Sequence, residues 1–235
     1  MLRGRGPLSG EVRLTTGSPH ERVDPSFRDA DGRSMKTPPL LLVLPERWLR
    51  SLPRLRIPPD YELRVCREGE EGSYESLLRE TSVGPWDGAR FVWTLERALP
   101  GGIFLMVHRP TGSPVATGAA LHRPRAEDAY FPFGGELANL AVRTPHKGRG
   151  LTYACILAAL GRFHQAGYHH VRVEITEDRE ASARRFLMMG FVPYLTSPGT
   201  EGRWKGFLEK LGWPFSPNEW PRGSAYSQGS PTPPG

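Results

Sequence analysis

The sequence predicts a single mixed α/β domain in which a central sheet is flanked by helices. Two observations carry this prediction. Short alternating apolar runs of strand length occur between longer stretches with helical apolar spacing, and two of the apolar runs are joined by the turn-rich residues 109–114. A hairpin requires antiparallel pairing, whereas strand–helix–strand crossovers favour parallel pairing. The predicted element order is therefore β-α-α-β-β-β-α-β-α-β in one mixed sheet.

The first half of the predicted domain ends with the hairpin. Its strands alternate apolar and polar residues or form short apolar runs, its helices have apolar residues three and four apart, and Gly84-Pro85 separates the two helices. A polar loop over residues 122–135 follows the hairpin. The predicted elements are a strand at 61–66, helices at 70–80 and 91–99, and hairpin strands at 103–108 and 115–121.

The second half repeats strands and helices in alternation. One apolar stripe marks the longest helix, which begins after Gly150 and ends at Gly167, and Gly190 ends the next helix. The predicted elements are strands at 136–142, 171–175 and 191–195, and helices at 151–166, 180–189 and 201–212.

Proline and glycine, with 24 and 27 copies, are concentrated towards the two ends of the 235-residue chain. This distribution predicts an N-terminal extension over residues 1–58, partly disordered, a domain over 59–213, and a disordered tail rich in Pro, Ser and Gly over 214–235. Residues 45–55 have helical spacing and are expected to pack on the domain as a short helix. Met35 is a second candidate start of the protein.

Composition narrows the class of protein. A net charge of +6 favours an anionic partner, but no arginine-rich segment is interleaved with aromatics, so nucleic-acid binding is not expected. The longest apolar run, residues 40–44, is too short to cross a membrane, and residues 1–34 lack a secretory signal. Cys66 and Cys155 are far apart and are expected to be reduced, buried thiols of a cytoplasmic protein.

Residues 140–151 combine features that suit a bound anion. An apolar strand end leads into a basic turn with Gly148 and Gly150, and the turn leads directly into an amphipathic helix. Glycine lets the backbone approach a ligand closely, and the first amides of a helix have no partner within it. Lys147 and Arg149 add positive charge where the helix dipole already favours an anion. A pyrophosphate fits this pattern, and so does a loop without a ligand.

Two better-known phosphate motifs do not match these residues. The turn lacks the Gly-Lys-Ser/Thr ending of a P-loop, and Tyr153 stands where a dinucleotide-binding fingerprint has its third glycine. The order and spacing of the motifs instead resemble the GNAT acyltransferase superfamily, and within it most closely the mycothiol synthase-type acetyltransferases. The resemblance covers residues 61–212 and is tightest over 136–191. It is carried by the segments at residues 142–151, 166–168, 177–178 and 189–191.

The resemblance implies a GNAT-like fold, an N-acyltransferase activity and a set of binding residues. Acetyl-CoA is the implied acyl donor, no metal is expected, and an amine of a small molecule or peptide attacks directly in a ternary complex. The backbone of Leu140, Ala141 and Val142 is expected to pair with the pantetheine arm, and an amide near Leu140 or Val142 to polarise the thioester carbonyl. The pyrophosphate is expected on the backbone amides of Lys147, Gly148, Arg149, Gly150, Leu151 and Thr152.

The residues for proton transfer are less well specified. Glu136 matches the general-base glutamate of several superfamily members, although a solvated carboxylate at the start of a strand has the same pattern. Phe186 stands where many members have the tyrosine that protonates the departing thiolate. Tyr194 is the best-placed candidate for the acid, with Tyr130 or solvent as alternatives, although a structural role is the more common one for such a tyrosine. Pro145 replaces the usual Gln or Arg, which removes a side-chain contact but leaves the amides in place.

Several other residue types have both a functional and a structural interpretation. The histidines at 164, 169 and 170 are interpreted as surface groups rather than metal ligands, and His146 as either a phosphate contact or a capping group. Trp86, Asp87 and Trp93 lie where an acceptor cleft is expected, but core packing is the more common role of such tryptophans. Two further functions remain open: a catalytically degenerate CoA-binding module, to which Phe186 points, and a basic nucleic-acid-binding protein.

Overall fold

The computed structural model describes residues 38–81, 88–123 and 133–223. Within these ranges the strands have three to eleven residues and are largely apolar on at least one face. They are β1 (Leu40–Leu44), β2 (Tyr61–Val65), β3 (Ala98–His108), β4 (Ser113–His122), β5 (Gly135–Val142), β6 (Val171–Ile175) and β7 (Val192–Tyr194).

The helices of the described residues range from one turn to four turns. They are α1 (Glu46–Leu49), α2 (Glu71–Thr81), α3 (Gly88–Arg97), α4 (Leu151–Gln165), α5 (Glu180–Met188) and α6 (Pro198–Leu211), with 3-10 turns at Thr144–His146 and Pro217–Glu219. In this part of the chain no helix has the length and apolar character needed to cross a bilayer.

The described strands form one seven-stranded mixed sheet in the order β2-β3-β4-β5-β6-β1-β7. Neighbouring strands pair antiparallel except β5 and β6, which pair parallel. From β2 to β7 the element order along the chain is the predicted one. The mixed α/β fold predicted from the sequence is therefore confirmed.

Helices cover both faces of the sheet. Successive residues of β4 point to opposite faces, and Leu121 packs in a cluster with Tyr74 and Leu77 of α2, whereas Ala120 packs in a cluster with residues of α4, α5 and α6. The α2 and α3 helices therefore lie on one face, and α4, α5 and α6 lie on the other. This arrangement places α4 across β3, β4 and β5.

The predicted domain start at residue 59 is wrong, because β1 is part of the sheet. It lies between β6 and β7 and pairs antiparallel with both. All five residues of β1 are buried, which explains its continuous apolar sequence, since a central strand is covered on both faces. Residues 1–37 lie outside the described residues, so the prediction for that part of the extension has no structural counterpart here.

The predicted domain end at residue 213 is also too early. Trp220 is buried and its ring packs edge-on against Phe215, with centroids 5.1 Å apart. The backbone of Leu195 bonds to Pro221 and Gly223 at 3.1 and 2.9 Å, which ties this segment to the end of β7. The domain therefore extends through residue 223, and the remainder of the predicted disordered tail lies outside the described residues.

Candidate functional site

The strand β5 carries a bulge where it pairs with β4. Thr117 faces Ala141 and Ala119 faces Ala138, so two residues of β5, Asn139 and Leu140, stand opposite the single Gly118. Such a two-against-one insertion bends the strand and interrupts its ladder. Asn139 has a φ of 54° and is the one non-glycine residue with a positive φ in the described part of the chain. The backbone of β5 is therefore redirected at residues 139–140.

On its other side, β5 separates from β6. Pairing of these two fully described strands is limited to Gly135 with Val171 and Glu136 with Arg172. Beyond these pairs the two strands diverge, and residues 137–142 have no pairing with β6. We call the space between residues 137–142 and residues 173–175 the β5–β6 gap. Its β5 edge offers backbone N–H and C=O groups to an extended ligand, as an open sheet edge does.

The turn after β5, residues 143–150, we call the anion turn. It contains one 3-10 turn and then Gly148 and Gly150, whose φ angles of 78° and 75° lie in the left-handed region that favours glycine. Gly150 is the N-cap of α4, and no side chain caps that helix start. An added Cβ at Gly148 or Gly150 would meet no atom within 4 Å, so the turn is open. Uncapped amides at an open, basic helix start suit a phosphate.

The glycine at position 118 allows α4 to lie close to the bulge. A Cβ built there would be 3.0 Å from Cδ2 of Leu140 and 3.2 Å from Cβ of Cys155 on α4. Both distances are shorter than ordinary carbon contacts. Since α4 begins in the anion turn, this close packing fixes the distance between the turn and the bulge.

A cleft of about 1070 Å³ lies between α4 and α5. A further wall of the cleft comes from α1 and the residues after it, including Trp48 and Pro53. The cleft lining includes Tyr153 from the first turn of α4 and Met188 from α5. The first helical turn after Gly150 therefore borders both the anion turn and this cleft.

The interpretation of Glu136 as a solvated carboxylate is wrong, since only 5% of the residue is exposed. Its Oε1 accepts from Nη1 of Arg123 at 2.7 Å, and its Oε2 lies 3.4 Å from Nε of Arg172. Arg123 also contacts Glu174 on β6 at 3.1 Å. Glu136 and Arg172 form the last pair before β5 and β6 separate. These four charged residues thus hold the closed end of the gap.

The structure brings the predicted binding residues together but not the predicted acid. Leu140, Ala141 and Val142 line the β5 edge of the gap, and the following residues through Thr152 form the anion turn and the start of α4. Tyr194 lies on β7, so β6 and β1 separate it from β5. Phe186 is a core residue whose ring packs 5.2 Å from that of Phe191. Tyr130, Trp86 and Asp87 lie outside the described residues.

Two further predicted residues have defined surroundings. Trp93 on α3 is half-buried between two guanidinium groups, with Arg97 at 4.4 Å and Arg123 at 5.2 Å from its ring centroid. His146 lies in the anion turn, where its Nδ1 is 2.9 Å from the hydroxyl of Tyr61 on β2. The contacts of Trp93 with Arg123 and of His146 with Tyr61 join residues far apart in sequence, and no local pattern indicates them.

Three histidines of the described residues have lowered pKa values. Burial is the main cause of the lowered pKa for His122, His146 and His170. Positively charged neighbours lower the pKa of His122 and His146 further, whereas Glu46 partly opposes the lowering at His170. Among residues 38–81, 88–123 and 133–223, no group of three or more His, Cys, Asp or Glu side chains is placed to hold a metal ion. His169 is exposed, 4.0 Å from Glu46.

The lowered pKa values of these three histidines lead to a prediction of how the stability of the fold changes with pH. Because the pKa of each histidine is lower in the folded state, the unfolded state binds the proton at a higher pH than the folded state does. The stability that these neutral histidines contribute is therefore fully present above about pH 6.5 and is lost as the pH falls below it. We expect the free energy of unfolding, measured with urea, to be flat from about pH 8.5 to 7.5 and to decrease from about pH 7 to 5.5. His146→Gln should reduce that decrease. An increase in stability on acidification would contradict the assignment.

The amino-acid sequence of this chain matches a known protein family. Residues 71–191 match the acetyltransferase (GNAT) family, which is slightly more than half of the chain. The chain therefore belongs to the GNAT acetyltransferase family. None of the curated proteins matches it.

Solved structures agree with the family at the level of the fold. A GCN5-related N-acetyltransferase from Sphaerobacter thermophilus is 19% identical, with a TM-score of 0.52 over 67% of this chain and 49% of its own. A Drosophila protein is 14% identical, with a TM-score of 0.52 over 67% of this chain and 48% of its own. The chain thus spans about half the length of these two structures. At such identities the likeness shows the fold alone.

Proposed function

We propose that this protein transfers an acetyl group from acetyl-CoA to an amine, by direct attack of the amine on the thioester within a ternary complex. Three neighbouring features support this most strongly. The β5 strand has a bulge, it separates from β6, and it leads directly into the open anion turn at the start of α4. Together they offer a backbone edge to an extended chain and a cradle of amides to a pyrophosphate.

Each part of the site has a proposed role. The β5 edge at Leu140, Ala141 and Val142 pairs with the pantetheine arm, and the amides of residues 147–152 bind the pyrophosphate. A backbone amide of the bulge polarises the thioester carbonyl, and this contact strengthens as negative charge develops on the oxygen. Acetyl-CoA bound in this way would have its thioester carbonyl held beside the open β5 edge of the sheet.

Direct attack is favoured over a covalent cysteine intermediate by the state of both thiols. Cys155 is buried, and burial raises its pKa to about 12. The pKa of Cys66 is raised to about 11, chiefly by burial and then by Glu70. A thiol reacts as the thiolate, so neither group is activated as a nucleophile near neutral pH. Two unpaired thiols also support the proposed cytoplasmic location.

Glu136 is the proposed base, and its surroundings set a condition for that role. Both carboxylate oxygens already face arginine nitrogens, so the amine, or a water between them, has to displace one of these donors. The leaving thiolate is proposed to take its proton from solvent, because Tyr194 lies on β7 and is separated from β5 by β6 and β1. The geometry of the site does not show whether the protein belongs to the mycothiol synthase-type subgroup, so that assignment stays a prediction.

We expect Glu136→Gln to lower kcat by about 100-fold or more, because general base catalysis contributes effects of that order. The dissociation constant of acetyl-CoA, measured by isothermal titration calorimetry, should stay within about twofold, since the anion turn is unchanged. Equal kcat for variant and wild type across the pH profile would remove Glu136 from the mechanism.

The proposed function is tested by an acceptor screen that follows release of the free CoA thiol. Acetyl-CoA is supplied with pools of small amines, aminoglycosides, peptides and proteins, each measured with and without the enzyme. Amine-dependent thiol release is expected from at least one pool. Binding of acetyl-CoA without release in any pool would instead support a degenerate CoA-binding module, which the replacement of a tyrosine by the buried Phe186 favours. Failure to bind acetyl-CoA would contradict both functions.

A further inference from the structure

The bulge of β5 depends on one residue in an uncommon conformation. Asn139 has a φ of 54°, in the left-handed region, which is unfavourable for a residue with a Cβ. Asparagine tolerates this region better than most residues, but a strained conformation persists only where its surroundings hold it. The backbone amides that face the gap belong to this same short segment. Whatever holds Asn139 therefore also holds those amides.

The side chain of Asn139 is held from the α2 helix. Its Nδ2 donates to the hydroxyl oxygen of Tyr74 at 2.7 Å, and the two residues are 65 positions apart in sequence. Tyr74 is fully buried, and its ring is 6.0 Å from that of Phe91 on α3. The bond is part-buried, and the hydroxyl of the fully buried Tyr74 is costly to leave without its partner. The bond thus ties the bulge to a rigid helix.

Building on the proposed function, we infer that Tyr74 is a positioning residue: through its hydrogen bond to Asn139 it holds the β5 bulge in the conformation that aims a backbone amide at the thioester carbonyl. Tyr74 does not touch the reacting atoms in this account. Its effect is on the alignment of the amide, and misalignment of a carbonyl-binding donor acts mainly on the transition state. Binding of the pyrophosphate in the anion turn does not depend on it.

The test combines Tyr74→Phe, Asn139→Gly and the double variant. Phenylalanine keeps the ring and removes the acceptor, whereas glycine permits the positive φ and removes the donor. We expect each single variant to lower kcat at least about tenfold, with the dissociation constant of acetyl-CoA within about twofold. The double variant should be no slower than the slower single variant, since both changes remove the same interaction.

Tyr168→Phe is the matched control. Tyr168 is another buried tyrosine, and its hydroxyl lies 2.8 Å from Nδ1 of His122, away from the bulge. This control should lose stability comparably while kcat stays within about twofold of wild type. A similar fall in kcat for Tyr168→Phe and Tyr74→Phe, or fully additive effects in the double variant, would overturn the inference.

Amide hydrogen exchange separates this inference from the proposed function. The bulge segment, residues 138–141, should exchange at least about tenfold faster in Tyr74→Phe than in wild type, whereas the central β3 residue Leu105 should keep its rate. This readout holds even if no amine is found to be a substrate. Unchanged exchange at residues 138–141 in Tyr74→Phe would overturn the inference whatever the activity.

Discussion

Replacing Glu136 with alanine is expected to lower the free energy of unfolding by about 3–5 kcal/mol, because it leaves buried guanidinium groups without their carboxylate. The side chains of Glu136, Arg123 and Arg172 are each exposed by less than a tenth. Removing one partner of such a cluster leaves charge that water cannot reach. The change should appear as a lower midpoint in urea-induced unfolding with the same slope.

An exposed ion pair provides the matched control for this prediction. Glu75 contacts Arg79 at 2.5 Å on the outer face of α2, and the Arg79 side chain is 62% exposed. Glu75→Ala should cost less than about 1 kcal/mol, since surface pairs are screened and weak. Equal losses for the two variants would show that burial of the Glu136 cluster is not what makes it stabilising.

Introducing glutamate at Gly148 is expected to weaken acetyl-CoA binding at least about tenfold, which corresponds to about 1.4 kcal/mol. The new carboxylate would enter the open side of the anion turn, where a bound pyrophosphate would meet like charge and bulk. The side chain meets no protein atom at its Cβ, so the fold has no steric reason to change, apart from strain at the positive φ. Calorimetric titration with acetyl-CoA measures the effect.

Gly101→Glu is the control for that substitution. Gly101 also has a positive φ, 66°, and open space around an added Cβ, so the strain and the charge are matched. It lies near the start of β3, whereas the anion turn is close to the other end of that strand, where the ring centroids of His108 and His146 are 4.9 Å apart. Acetyl-CoA affinity should stay within about twofold. Equal loss of acetyl-CoA affinity in Gly148→Glu and Gly101→Glu would show that acetyl-CoA does not bind at the anion turn.

The anion turn and the order of elements around it were predictable because their signals are local. Glycines with positive φ, basic residues and a helix start all lie within residues 143–152, and the turn is formed from the same segment. The hairpin of β3 and β4 is likewise set by a short turn. In such cases the residues that determine the structure are adjacent in the chain.

The strand β1 was missed because its partners are distant. Residues 40–44 form a continuous apolar run with no alternation, so periodicity does not distinguish a buried strand from other buried segments. Its position between β6 and β7 depends on residues about 130 positions later in the chain. Pairing over such separations leaves no mark in a single sequence.

The surroundings of the proposed catalytic residues were unpredictable for a related reason. The alternation of Val171, Arg172 and Val173 indicates a strand with one polar face, but not that this polar face is buried against Glu136. The bulge at Asn139 likewise arises from the register between β4 and β5, which the sequence of β5 alone does not reveal. Register and burial are properties of the assembled sheet.

Transfer of a labelled acetyl group is the measurement that tests the central claim most directly. Acetyl-CoA with an isotopic label in the acetyl group is incubated with the protein and the amine pools, and the products are analysed by mass spectrometry. We expect labelled amide in at least one pool, formed together with an equal amount of free CoA thiol, and formed more slowly by Gly148→Glu when acetyl-CoA is below saturation. Tight binding of acetyl-CoA with no labelled amide in any pool would contradict it.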